Sequence, residues 1–208
     1  MELNNMQKEL INTASELFPT FEHWQSFLEL SNSRDAIMES WYIEATARIR
    51  RHFMETLPPE WACEAWGATN RDTRWFLREF GPESLVVSYG WHYRLDLRLS
   101  DRQKFNAQTI SKLLKESTYT PIHLAFDRID RRFDWGSELI EIGNFKFGIA
   151  NDGNFSPHDL AWHARHQIDI FAEQAIAKIE RFTNSQRVTE LLKQLNQVAR
   201  NESQNIKE

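Results

Sequence analysis

Eight successive odd-numbered positions are apolar or aromatic: Leu85, Val87, Tyr89, Trp91, Tyr93, Leu95, Leu97 and Leu99. The even positions from 88 onward carry Ser88, Gly90, His92, Arg94, Asp96 and Arg98. Side chains alternate between the two faces of a strand, so the pattern predicts one long, half-buried β-strand holding a row of ionisable groups opposite its core face. A strand of this kind needs hydrogen-bonding neighbours and a hydrophobic face to pack on, which excludes a purely helical fold.

The neighbours are legible by the same period. Trp61, Cys63 and Ala65, then Thr73, Trp75 and Leu77, alternate against polar residues and predict two strands leading into the long one. Gly81, Pro82 and Glu83 supply a turn. Pairing Phe80 with Ser84 sets Leu77 opposite Val87 and Trp75 opposite Tyr89, so that apolar rows meet. That register also sets Asp72 opposite His92 and Arg74 opposite Gly90. A further hairpin is expected at Ile140–Phe147, with Gly143–Asn144 as its two-residue turn and Glu141 facing Lys146.

Helices flank this middle region. The spacing predicts helices over 4–17, 21–30 after Thr20, and 34–56 after Ser33, the last with Ile37, Trp41, Ala45, Ile49 and Phe53 in one stripe. Pro58 and Pro59 stop it. A short helix is expected over 105–116. Residues 121–133 suit a strand at Ile122, Leu124 and Phe126, but the longer spacing of Ile122, Phe126, Ile129 and Phe133, with Thr120–Pro121 as cap and first turn, favours a helix. Ser156, Pro157 and Asp159 open a long helix reaching Phe182, and a last helix spans 185–199 with Val188, Leu191, Leu192, Leu195 and Val198 on one face.

The expected architecture is a single α+β domain over residues 1–200. It is helical over 1–57, an antiparallel sheet of about five strands within 60–150, and helical over 156–199, with 201–208 as a flexible tail. Strands cluster rather than alternate with helices, which disfavours a doubly wound parallel sheet.

With a net charge of −5, the average field repels nucleic acid and anionic membranes. Nine of the seventeen arginines fall within 59–154, so a local anion-binding patch remains compatible with the acidic balance. Cys63 is the single cysteine, which excludes an intramolecular disulfide and a multi-thiolate zinc site. The first residues lack a basic segment followed by an apolar one, and no window approaches a membrane span, so a cytoplasmic protein is expected.

Familiar catalytic signatures are absent. There is no glycine-rich phosphate loop, GxSxG, HExxH or paired CxxC, and no lysine follows an acid by two residues. The leading candidate site is therefore the polar row Arg74, His92, Arg94, Asp96 and Arg98, with Asp72 beside it. Arginines fixed on a strand present forked donors suited to a carboxylate or phosphate. The plainer expectation for the same row is a solvated sheet face on which Asp96 neutralises two arginine neighbours.

Asp159, His163 and His166, spaced by four and three on one helix face, are the alternative: a divalent-metal site serving a metal-dependent hydrolase, with nucleic acid as one substrate. Arg48, Arg50, Arg51 and His52, and then Arg128, Arg131 and Arg132, are read as self-neutralised helix faces, with an Asp127–Arg131 pair at spacing four. Most of the eight tryptophans belong in a core, Trp66 and Trp135 being the two placed at element ends. The reading is a non-catalytic binding or regulatory module that recognises a protein partner or a small anionic ligand and needs no cofactor. Nucleic acid and membranes are not expected partners, and the leucine-bearing helix 185–199 offers a route to a homodimer.

Overall fold

A computed structural model describes residues 4–67, 71–90, 93–101, 104–127, 129–131, 139–144 and 156–205. It is α+β with an antiparallel sheet, and gathers into two compact units, Met1–Ser40 and Trp41–Glu208.

The first unit holds α1 (Asn5–Leu17), α2 (Phe21–Asn32) and the start of α3 (Arg34–Thr56). The α1 N-cap is Asn4, whose side chain accepts from the Gln7 amide at 2.8 Å while the Gln7 side chain accepts from the Asn4 amide at 2.9 Å, a reciprocal cap that satisfies two otherwise orphaned donors. Thr20 caps α2 as expected, accepting from the His23 amide at 3.2 Å.

In the second unit, six strands form one sheet in the order β1-β2-β3-β4-β6-β5, against the five expected. They are β1 (Trp61–Trp66), β2 (Asp72–Leu77), β3 (Leu85–Gly90), β4 (Arg94–Leu99), β5 (Ile129–Arg131) and β6 (Leu139–Asn144). The strand expected over 85–99 is two strands folded back on each other. Gly90 pairs with Arg94, Tyr89 with Leu95, Val87 with Leu97 and Leu85 with Leu99. An odd number of residues separates Gly90 from Arg94, so odd positions meet odd positions across the hairpin, and the alternation reads through the turn as though no turn were there. Tyr93 has a φ of 60°, the left-handed conformation that a short hairpin connection demands.

The expected β2–β3 register is displaced by two residues. Trp75 lies opposite Val87 and Arg74 opposite Ser88, rather than opposite Tyr89 and Gly90. Parity survives such a slip because the side-chain period is two, so every residue keeps its face while its partner changes. Gly143 and Asn144 are likewise not turn residues: they continue β6, opposite Leu95 and Arg94 of β4. Phe145, Lys146 and Phe147, the other arm of that expected hairpin, lie outside the described residues.

The helices include α4 (Ala107–Leu113), α5 (Thr120–Leu124), α6 (Pro157–His166), α7 (Ile168–Thr183) and α8 (Gln186–Asn205). Within the span expected as one helix, α5 ends at Leu124 and Ile129–Arg131 is strand β5. The single helix expected from 156 to 182 is interrupted at Gln167, whose φ of −133° and ψ of 40° leave the helical region while apolar spacing runs on across it. Its predicted start is observed: Ser156 accepts from the Asp159 amide at 3.2 Å and Asp159 accepts from the Ser156 amide at 3.1 Å.

Buried odd residues of the sheet, among them Trp61, Trp75, Val87, Tyr89 and Leu97, form the core with the helices. From α3, Tyr42, Ala45, Ile49 and Phe53 are buried, and Phe53 meets Trp75 edge-on at 5.3 Å. From α7, Phe171 meets the Tyr93 ring at 5.5 Å. Asn196 of α8 accepts from the Leu85 amide of β3 at 3.0 Å and donates to the Leu192 carbonyl at 3.0 Å, and Thr189 accepts from the Trp61 indole at 3.1 Å. Val188, Leu191, Leu192 and Leu195 are consequently buried within their own chain, so most of the face read as a dimer contact is spent on the core, while Val198 stays exposed. No helix among the described residues is long and apolar enough to cross a membrane.

Candidate anion-binding face of the sheet

The antiparallel registers align Glu64, Arg74, Ser88 and Asp96 in one cross-strand row over β1, β2, β3 and β4, all at even positions and therefore on one face. Arg94 and Arg98 stand two residues either side of Asp96 on the same face of β4. His92, expected at the end of this row, lies outside the described residues.

This face is not the solvated surface expected of it. Ser88 and Asp96 are 1% and 4% exposed, and the Arg74 and Arg98 side chains are mostly covered. Desolvation pushes the Asp96 carboxyl up to about 6, with Asp72 adding to the rise, while the neighbouring Arg98 and Arg94 charges and a hydrogen bond from Arg98 pull against it. Arg98 approaches Asp96 Oδ2 at only 3.5 Å, a long contact for an ion pair, which is why burial prevails. Among the described residues, Asp96 Oδ1, Ser88 Oγ and Arg98 Nε are buried without a hydrogen-bond partner.

The arginines divide into three roles. Arg74 is neutralised by Glu64, donating from Nε at 2.8 Å, and turns another nitrogen toward Ser100 Oγ at 3.5 Å. Arg98 lies over the Trp66 ring at 4.6 Å from its centroid and also approaches Asp96, so its guanidinium meets both an indole face and a carboxylate. Arg94 is exposed and, among the described residues, pairs with no carboxylate. Trp66 also reaches Arg74 at 5.9 Å. Its even parity with Glu64 and Arg74 was the available signal for placing it here, and reading it only as an element end missed it.

Asp72 belongs to the end of this face. Its Oδ1 accepts from the Tyr42 hydroxyl at 3.3 Å, and Arg71 lies 3.9 Å away. Gly67, at φ +90°, leaves room for that carboxylate, since a Cβ there would meet Asp72 Oδ2 at 3.3 Å.

The alternative metal residues are not gathered. Asp159 is exposed and spent on the Ser156 cap, which holds its carboxyl below the ordinary range. His163 Nδ1 meets Gln167 Oε1 at 2.9 Å, and the His166 ring stacks on Trp162 at 4.9 Å. Among the described residues no three His, Cys, Asp or Glu side chains are placed to hold a metal ion. Of the first basic cluster, Arg48 pairs with Asp169 and His52 lies against Glu180 at 3.2 Å, both on α7. Asp127 pairs with Lys178 and Arg181 of α7, and its carboxyl is held low by those donors against the opposing effect of burial, while Arg131, expected on one helix with it, lies in strand β5.

No protein-family model, curated protein or solved structure matches this chain.

Proposed function

We propose that the chain is a non-catalytic binding module that takes a small anionic ligand on the even face of its sheet. Arg94 and Arg98 supply the charge-assisted donors and Trp66 the flat apolar wall. The observation that carries the reading is the Arg98 guanidinium held by Trp66 at 4.6 Å and Asp96 at 3.5 Å, near the exposed Arg94, which among the described residues pairs with no carboxylate. A guanidinium already fixed in orientation loses little rotamer entropy on meeting a carboxylate or phosphate, which favours recognition by a rigid surface.

The test is calorimetric titration of the full chain with inorganic phosphate, pyrophosphate and citrate in turn. Saturable binding of at least one is expected, weakened about tenfold or more in Arg94→Ala, since a charge-assisted hydrogen bond contributes about 1.5–3 kcal/mol. Arg94 is exposed, so the variant's melting temperature should match the parent's. Absence of saturable binding for all three anions, or undiminished binding in the variant, would refute the reading.

A further inference from the structure

The first unit carries a surface of a different kind. Neither α1 nor α2 buries any residue, yet together they display Met6, Leu10, Leu17, Phe21, Trp24 and Leu28 at 40–72% exposure. On α1, Met6, Leu10 and Leu17 are separated by four and seven residues and share one stripe; on α2, Phe21, Trp24 and Leu28 do the same at three and four. Exposed apolar side chains concentrated in this way mark an interaction surface rather than scattered surface residues. Helices of 13 and 12 residues are also below the length at which an isolated helix is stable in water, so they gain most from a cover. At the corner between them, Phe18, Trp24 and Phe27 cluster with ring centroids 4.6–5.7 Å apart and keep part of the apolar surface in place.

The charge of this unit selects the cover. The first forty residues hold seven acidic and two basic side chains, which accounts for the entire net charge of −5, the remainder of the chain being balanced. Glu9 and Glu16 on α1, and Glu22 and Glu29 on α2, are each seven residues apart, so each pair returns to one margin of its helix alongside the apolar stripe. A second copy would bring like charges together, and an anionic membrane is repelled by the same field.

We propose that the α1–α2 surface docks a basic amphipathic helix of a partner protein. Apolar side chains of that helix at spacings of three and four would lie on the stripes, and its flanking lysines or arginines would face the four glutamates.

The probe is a fluorescent leucine/lysine peptide with amphipathic helical spacing, measured by anisotropy against the full chain. A scrambled peptide of the same composition is the control. The expected result is saturable binding at least about tenfold tighter than the scrambled peptide, weakened about tenfold or more by Leu10→Ser combined with Leu28→Ser. The combined variant Glu9→Lys, Glu16→Lys, Glu22→Lys and Glu29→Lys, all at exposed positions, should lose the leucine/lysine peptide and gain a leucine/glutamate one. Equal binding of the scrambled peptide, or indifference to both sets of substitutions, overturns the proposal. So does a dimer in sedimentation equilibrium that Leu10→Ser with Leu28→Ser dissociates, because the cover would then be a second copy.

Discussion

Replacing Asp96 by Asn measures the cost of the buried carboxylate directly. Asp96 titrates near 6 in the fold, against about 3.9 for an aspartate in an unfolded chain. Below about pH 4 both states are protonated, and the native protein bears no cost for the charge. Between about pH 4 and 6 the unfolded chain ionises first, so the group's contribution falls as pH rises, and above the folded value the loss is constant at about 3 kcal/mol. Asn has nearly the same shape and no charge. The stability difference, variant minus parent, should therefore sit at a baseline near pH 4, climb through pH 4–6, and level off about 3 kcal/mol higher, equivalent to about 6–12 °C in Tm for a chain of this length. Urea unfolding of both proteins at half-unit pH intervals gives the curve, and taking the difference removes other titrating groups such as Asp127 and Asp159. A flat difference, or one that falls with pH, would refute the reasoning, because it would mean that the Arg98 contact at 3.5 Å matches or outweighs the loss of solvent.

Arg98→Ala should carry the climb of that same difference curve beyond pH 6 and raise its plateau, since it removes the principal charge holding the carboxyl down; an unmoved upper limit would assign the role to Arg94. Gly143→Ala should destabilise the protein by about 1–3 kcal/mol in thermal unfolding, because the new Cβ would lie 2.1 Å from the Phe126 ring, which is itself packed on Phe182 at 5.0 Å. Combining it with Phe126→Leu should recover part of the loss. Asn196→Ala should cost about 1–3 kcal/mol by leaving the buried Leu85 amide without its acceptor, and denaturation with an unchanged midpoint would show that amide to be satisfied otherwise.

Much of the fold was legible because side-chain period reports which face a residue occupies. The boundaries of α1, α2 and α3, the strands around Trp61–Ala65 and Thr73–Leu77, and the capping box at Ser156 all follow from local spacing and cap chemistry. What escaped was the chain's path where parity stays silent. A three-residue reversal between Gly90 and Arg94 preserves odd-to-odd matching, so the alternation of 85–99 describes a hairpin as well as it describes a single strand. The two-residue slip between β2 and β3 is invisible for the same reason. The break at Gln167 lies inside an apolar period that continues on both sides.

The candidate site divides along the same line. By itself the sequence determined that Arg94, Asp96 and Arg98 share a face, because parity along a strand is local, and the parity of the expected turns added Arg74 to it. Only the tertiary structure decided that Ser88 lies opposite both Arg74 and Asp96, that Trp66 covers Arg98, that Glu64 neutralises Arg74, and that Asp96 is removed from water. Those are contacts between strands distant in the chain, and burial depends on what lies above a face, which no spacing within one strand can encode.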